Sequence, residues 1–169
     1  MIKHYREKFD QAVSFSVVRH PFERLVSVFK DKIVRKEKYL YEEFKKQFGN
    51  ATFAKFVKEV IRGAKIGKYN VHWEPYILSC SYCHFNYSVL SKLETMEEDK
   101  KFILDSVGAN IPNTRKIQNK VVGDKIEKVT CDSFSELTKE QGEELANIYK
   151  YDLEMFEYDG QKYLNCCKE

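Results

Sequence analysis

An apolar run followed at once by a basic amphipathic segment constrains this chain more than any other feature. Residues 12–18 read AVSFSVV, a β-branched and aromatic run between polar residues, which predicts a short buried strand. From Pro21 the apolar residues change to helical spacing, and proline is well tolerated in the first turn of a helix. The segment therefore predicts a strand, a tight turn and a helix, as in α/β proteins. The apolar stripe of this helix consists of Phe22, Leu25, Val26, Phe29 and Ile33.

The turn between this strand and helix has the composition of an anion site. A helix N-terminus presents backbone N–H groups that lack intrahelical partners, together with the positive end of the helix dipole. Arg19 stands just before it and can hold phosphate or sulfate by a forked, charge-assisted contact. At about 100° per residue, Ser27 lies beside Arg24, away from the apolar stripe. The pattern predicts a phosphate clamp; the alternative is an ordinary turn with a surface arginine and serine.

Composition limits what such a site can serve. The chain has 169 residues, of which 43% are hydrophobic, enough for one domain with one core. Its 29 Lys and Arg against 26 Asp and Glu leave a net charge of +3, too balanced for a general nucleic-acid binder. No apolar run approaches the roughly 18 residues of a membrane span. Two N-glycosylation triplets, at Asn50 and Asn86, favour the secretory pathway.

Further amphipathic segments predict the helices of the first half. Residues 39–49 and 52–65 have helical spacing, the first closed by Gly49 and the second opened by Thr52 as its N-cap. Residues 66–88 lose this periodicity and collect Tyr, His, Trp and Cys, which predicts an irregular loop.

The second half begins with a predicted strand over residues 87–94. Two capping boxes, each a threonine with Glu or Gln three positions later, predict helix starts. They are Thr95 with Glu98, and Thr138 with Gln141. The first of these helices should end at Gly108. Residues 109–133 are polar and contain a proline, which predicts a loop.

Five cysteines neither require nor exclude disulfide bonds. They are Cys80, Cys83, Cys131, Cys166 and Cys167. A zinc site can be drawn from Cys80 and Cys83 with His72, His84 and Cys131, but one Cys-x-x-Cys with scattered partners is a weak metal signal. In an oxidising compartment a disulfide is favoured, and the pairing stays open.

Four blocks of the sequence resemble one family in the same order. VVRHPFERLVSVFKDK, residues 17–32, looks like the 3'-phosphate-binding motif of the Golgi carbohydrate sulfotransferases. The branch it resembles includes the chondroitin and dermatan 4-O-sulfotransferases and the sulfotransferase that makes the HNK-1 epitope. HWEPYILSCSYC (72–83), YSVLSKLETMEED (87–99) and IYKYDLEMFEYD (148–159) are similar to later segments of the same family.

The resemblance implies a partial P-loop nucleotide-kinase-like sulfotransferase domain, an α/β fold with a short parallel sheet flanked by helices. It implies 3'-phosphoadenosine-5'-phosphosulfate as the donor, no metal, and a sugar hydroxyl as the acceptor, on a chondroitin- or dermatan-like glycan or a terminal sugar of an N-glycan. By matching positions, Arg19 and Ser27 would bind the 3'-phosphate, with Arg24 beside them. His72 or Glu74 would be the general base near the acceptor. The alternative is that His72 and Trp73 only anchor the loop on the core.

The family also has parts that find no match before Arg19. These are a second phosphate loop, which grips the 5'-phosphosulfate, and an N-terminal membrane anchor. We therefore expect residues 1–169 to be the C-terminal portion of a type II single-pass Golgi enzyme, on the lumenal side, with an incomplete donor site. Two rivals are a non-catalytic lumenal protein that binds glycans or partner enzymes, and an intracellular phosphate-binding module with a chance motif.

Overall fold

The computed structural model describes residues 12–35, 41–42, 44–46, 49–79, 81–109 and 124–168. In chain order the elements are β1 (Phe15–Val18), α1 (Pro21–Val28), a π-helical segment (Phe29–Val34), α2 (Phe53–Lys65), α3 (Tyr76–Ser79), β2 (Val89–Lys92), α4 (Met96–Ser106), α5 (Asp124–Phe134), α6 (Lys139–Ile148), α7 (Lys150–Met155) and α8 (Gln161–Leu164). They form two compact units. The first comprises Met1–Arg19 and Tyr76–Gly123, and the second comprises His20–Pro75 and Asp124–Glu169.

The first unit contains a parallel sheet, which in the described residues has the two strands β1 and β2. Phe15 lies opposite Val89 and Val18 opposite Lys92. The α/β class is therefore confirmed, but the prediction of a buried strand over 12–18 is only partly right. The strand begins at Phe15, which is 52% exposed, and only Val18 is buried. Side chains of a strand project from the two faces of a sheet, so a strand is buried only where other elements cover those faces.

Helix α4 begins and ends where the sequence predicts, but the predicted capping box is wrong. The Thr95 hydroxyl makes no cap bond to the backbone. It donates instead to Asp99 Oδ2 at 2.7 Å, and Ser91 donates to the same oxygen at 2.8 Å. The backbone at Thr95 has φ −102° and ψ 5° instead of the extended conformation of a capping residue, and the Glu98 N–H donates to the Thr95 carbonyl at 3.0 Å. After the helix, Gly108 has a φ of 64°, a backbone conformation that glycine adopts without steric cost.

The second unit packs α1, α2 and α5–α8 around an aromatic core. The predicted stripe of α1 is buried, and after Val28 the helix widens into the π-helical segment, whose Phe29 and Ile33 stay on the core side. Thr52 caps α2, since its Oγ1 accepts the Lys55 N–H at 3.3 Å. The rings that contact one another in this core include Phe22, Phe29, Phe53, Phe56, Phe134 and Tyr163.

Other local predictions for this unit also agree with the structure. Both hydrogen bonds of the capping box between Thr138 and Gln141 are present at the start of α6. Within the predicted helix 39–49, residues 41–42 and 44–46 are helical, and Gly49 has a φ of 70°. The remaining residues of that segment lie outside the described part of the chain.

The predicted loop over 109–133 is wrong from Asp124 onward, where α5 runs to Phe134. Ile126, Thr130 and Phe134 are buried and stand four positions apart, which is helical spacing. Most of the residues between them are polar, and Thr130 is polar itself, so the sequence shows no clear apolar period here. Residues 110–123 lie outside the described residues. In the predicted loop 66–88, the short helix α3 is the one regular element among the residues described.

A disulfide joins Cys131 of α5 to Cys166, which follows α8. Cys83 is exposed and free, Cys167 is buried and free, and Cys80 lies outside the described residues. In the part of the chain that the structure describes, no group of three or more His, Cys, Asp or Glu side chains is arranged to hold a metal ion. None of the described helices is long and apolar enough to cross a membrane.

Candidate functional site

The start of α1 is capped by its own neighbours, which corrects the prediction that it offers several unpaired N–H groups. Pro21, the first helical residue, has no N–H. The next N–H, of Phe22, donates to Nδ1 of His20 at 3.2 Å. The Arg24 N–H donates to the His20 carbonyl at 2.9 Å, as in any first helical turn. The helix start therefore offers an anion fewer unpaired N–H groups than the sequence predicts.

His20 and Glu23 fix this helix start to the C-terminal segment of the second unit. The His20 ring is 2% exposed, and because Nδ1 accepts a hydrogen bond, Nε2 carries the proton and donates to the Asp159 carbonyl at 3.0 Å. The Tyr163 hydroxyl donates to Glu23 Oε1 at 2.6 Å, in a buried position. Burial raises the pKa of Tyr163 well above its ordinary value, so this hydroxyl stays a donor. These contacts make His20 a structural residue of the turn.

The predicted donor-binding side chains are placed on different units. Arg19 is the last residue of the first unit, and Ser27 lies on α1 in the second. Their convergence on one phosphate therefore stays a prediction. Ser27 is half-buried, and among the residues that the structure describes its hydroxyl has no hydrogen-bond partner. This hydroxyl is chemically available to an anionic ligand.

The loop of residues 70–75 is held by hydrogen bonds to two adjacent backbone carbonyls. Arg24 Nη2 donates to the Glu74 carbonyl oxygen at 2.6 Å. The Tyr149 hydroxyl donates to the Trp73 carbonyl oxygen at 2.5 Å. Arg24 lies on α1 and Tyr149 lies between α6 and α7, all in the second unit, so the backbone of this loop has a fixed position within that unit.

The side chains of this loop divide into anchors and accessible groups. The Trp73 ring meets Phe56 edge-on, with ring centroids 5.2 Å apart. His72 is exposed, and its backbone N–H donates to Asn70 Oδ1 at 3.0 Å. Glu74 is half-buried. Trp73 thus anchors the loop on the core, whereas the imidazole of His72 reaches solvent, and the base role predicted for His72 or Glu74 stays a prediction.

Sequence reasoning missed Tyr149 and Asp152, the residues that hold Arg24 in this place. The Asp152 carboxylate is fully buried and lies 4.0 Å from Arg24 Nη2, and the guanidinium lies 6.0 Å from the centre of the Tyr149 ring. Burial raises the pKa of Tyr149 far above its ordinary value. A carboxylate on the apolar side of a short helix was the available signal, because such a group is seldom buried without a partner.

Comparison with known proteins identifies the family to which the chain belongs. The sequence model of the sulfotransferase family matches residues 2–159. The chain belongs to the sulfotransferase family. Carbohydrate sulfotransferase 11 of Mus musculus is 29% identical over 175 residues, which cover 90% of this chain and 48% of that protein. Carbohydrate sulfotransferase 10 of Xenopus laevis is 26% identical over 183 residues, covering 94% of this chain and 50% of that protein.

A third relative, carbohydrate sulfotransferase 8 of Mus musculus, is 29% identical over 160 residues, covering 83% of this chain and 38% of that protein. No solved structure matches the chain. The sulfotransferase chain spans about half the length of the curated relatives it matches. The predicted resemblance to carbohydrate sulfotransferases is confirmed.

Membership of this family implies 3'-phosphoadenosine-5'-phosphosulfate as the sulfate donor. The residues of the sulfotransferase motif suit such a ligand, because a guanidinium and a hydroxyl both donate hydrogen bonds to a phosphate dianion. The hydroxyl of Ser27, which has no partner in the described residues, is the observation that favours this fit.

Proposed function

We propose that this chain is the 3'-phosphate-binding part of a carbohydrate sulfotransferase, which transfers sulfate from 3'-phosphoadenosine-5'-phosphosulfate to a hydroxyl of a glycan. The observation that carries the proposal is the strand β1 followed by a turn and the helix α1, with Arg19 in the turn and Ser27 on the helix. This motif stands in a chain whose family match runs from residue 2 to residue 159. The names of its curated relatives support sugar as the acceptor class.

In this proposal the protein contributes mainly position and charge. Arg19 holds the 3'-phosphate by a forked contact, Ser27 donates its hydroxyl to the same group, and Arg24 stands beside Ser27 as a third candidate. When bound, the donor supplies the sulfuryl group and its nucleotide leaving group. As in phosphoryl transfer, holding the reactants in line and balancing charge provide most of the rate. The exposed His72 or the half-buried Glu74 takes the proton of the sugar hydroxyl.

We further propose that the acceptor is a chondroitin- or dermatan-like glycan or a terminal sugar of an N-glycan, and that the protein works on the lumenal side of the Golgi membrane. The disulfide between Cys131 and Cys166 fits an oxidising compartment. Asn50 and Asn86 are both exposed, as N-glycosylation requires. The chain spans about half of its relatives' length, and in such a protein the other half would supply the 5'-phosphosulfate loop and the membrane anchor.

Binding of adenosine 3',5'-bisphosphate tests the proposal without requiring catalysis. Isothermal calorimetry on the wild type and on Arg19→Ala should show at least a tenfold loss of affinity, because a charge-assisted hydrogen bond is worth about 1.5–3 kcal/mol. Arg62→Ala is the matched control, since Arg62 is exposed on α2 and pairs with Glu59. Equal affinity of the wild type and Arg19→Ala would contradict the proposal.

Transfer of radiolabelled sulfate to desulfated chondroitin separates an enzyme from a glycan-binding protein. An enzyme labels the glycan, and Arg19→Ala reduces the label. A glycan-binding protein transfers no sulfate, and its affinity for the glycan is unchanged in Arg19→Ala.

A further inference from the structure

The helix that carries Ser27 also holds the loop of residues 70–75, and this second role falls to Arg24. We propose that Arg24 and Tyr149 are positioning residues that fix this loop relative to α1 through its backbone. Only the idea that the loop serves the sugar acceptor rests on the proposed function; the positioning itself rests on the contacts within the second unit.

The two hydrogen bonds are made where water is largely excluded. The Arg24 side chain is 15% exposed, the Asp152 side chain is fully buried, and Tyr149 is 1% exposed. Hydrogen bonds in such surroundings are electrostatically stronger than in water, and losing a partner there is costly. Two neighbouring carbonyls, of Trp73 and Glu74, are therefore held more firmly than a surface loop usually is.

Because the loop is held by backbone carbonyls, its side chains remain available for other work. His72 is exposed, and the Glu74 carboxylate is not what Arg24 contacts in this hydrogen bond. The arrangement fixes the positions of two candidate bases without neutralising them. A site that must hold a proton acceptor at a set distance from a substrate needs this kind of support.

The same contacts engage one nitrogen of the Arg24 guanidinium, Nη2. Its Nη2 already donates to the Glu74 carbonyl, and it lies 4.0 Å from the buried Asp152 carboxylate. A negative charge on that side disfavours a phosphate dianion next to the same nitrogen. Arg24 lies one helical turn before Ser27, so it links the helix of the donor motif to the loop.

The chain offers a direct probe of this loop, because Trp73 is its single tryptophan. Quenching of its fluorescence by acrylamide measures how accessible the loop is. Tyr149→Phe removes only the hydroxyl that donates to the Trp73 carbonyl, and Arg24→Lys keeps the charge but loses the forked donor. In both variants the quenching constant should rise about twofold or more, because losing a buried hydrogen bond to one carbonyl lets the loop open more often.

Two matched controls keep the same chemistry at exposed positions of the second unit. Arg62→Lys lies on α2, where the arginine pairs with Glu59, and Tyr151→Phe lies on α7, where the tyrosine is 61% exposed. Neither should change the quenching constant of Trp73. Calorimetry with adenosine 3',5'-bisphosphate on Tyr149→Phe should give an affinity within about threefold of the wild type, since Tyr149 is not placed on the phosphate.

Unchanged Trp73 quenching in Tyr149→Phe would overturn the positioning role. The Tyr149 variant decides the matter if the Arg24 variant does not fold. Failure of the proposed function has a different result. If Arg19→Ala binds the nucleotide as tightly as the wild type, the sulfotransferase assignment fails, while the fluorescence comparison still tests the role of Tyr149 and Arg24.

Discussion

Replacing the disulfide between Cys131 and Cys166 by two alanines should destabilise the second unit by about 4 kcal/mol. The bond joins residues with a sequence separation of 35, and such a cross-link removes about 2.1 + 1.5R ln n cal/mol/K of entropy from the unfolded chain. With n equal to 35 this is about 13 cal/mol/K, or about 3.8 kcal/mol at 25 °C. This is a large part of the about 5–15 kcal/mol by which small domains are stable.

Urea unfolding followed by circular dichroism measures this loss. With a slope of about 2 kcal/mol per molar urea, the midpoint of the double variant should fall by about 2 M. The slope itself should rise, because an unfolded chain without the cross-link exposes more surface. Cys83→Ala is the matched control, since Cys83 is exposed and free, and its midpoint should stay within about 0.3 M of the wild type.

The wild type in the presence of a reductant should reproduce the double variant, which separates loss of the bond from the effect of new side chains. That comparison also decides the matter if the double variant does not fold. A midpoint shift below about 0.5 M on reduction would refute the reasoning, because it would mean that closing this loop restricts the unfolded chain far less than its length implies.

Two smaller perturbations test contacts in each unit. Tyr163→Phe removes the hydroxyl that donates to the buried Glu23 carboxylate, and urea unfolding should show a free energy of unfolding lower by about 1.5–3 kcal/mol. The control is Tyr151→Phe at an exposed position, whose free energy of unfolding should stay within about 0.5 kcal/mol of the wild type. Equal urea midpoints for Tyr163→Phe and the wild type would contradict this prediction. The hydrogen bond from Thr95 is the main cause that lowers the pKa of Asp99 in the folded protein. Ionised Asp99 therefore stabilises the fold at pH values above its unfolded pKa, and this stabilisation is lost as the pH falls through its folded pKa. An NMR titration should place this pKa below 3.8 and should move it upward in Thr95→Ala, and an unaltered titration would show that the hydroxyl has no such effect.

Local signals predicted most of the helix ends correctly. The cap at Thr52 and the box between Thr138 and Gln141 involve residues within three positions of each other, so the sequence contains everything these contacts need. Gly108 is a similar case, because the left-handed φ it adopts depends on the residue type.

Predictions failed where the folded structure gives a residue a partner that the local pattern does not show. The Thr95 hydroxyl donates a hydrogen bond to the Asp99 carboxylate, and the hydroxyl of Ser91 on β2 donates to the same carboxylate. Nothing in the four residues around the helix start reveals that a strand will bring a second hydroxyl to the same carboxylate. The mostly polar helix α5 was missed for a related reason, since its burial depends on packing against other helices of the unit.

The site was predictable in its residue types but not in its connections. Spacing alone placed Ser27 beside Arg24 on the helix, and the helix is there. The hydrogen bond from Arg24 to Glu74 spans 50 residues and ends on a backbone carbonyl, which any residue at that position would offer. A contact of this kind leaves no pattern of residue types in the sequence, so only the folded arrangement reveals it.

The capped start of α1 also changes what the donor motif can do. In a glycine-rich phosphate loop the backbone N–H groups supply most of the hydrogen bonds, so a single side-chain substitution leaves much of the cradle in place. Here Pro21 has no N–H and the Phe22 N–H is taken by His20. In the proposed donor site, side chains therefore supply more of the hydrogen bonds, and Arg19→Ala should lower the affinity for adenosine 3',5'-bisphosphate at least tenfold.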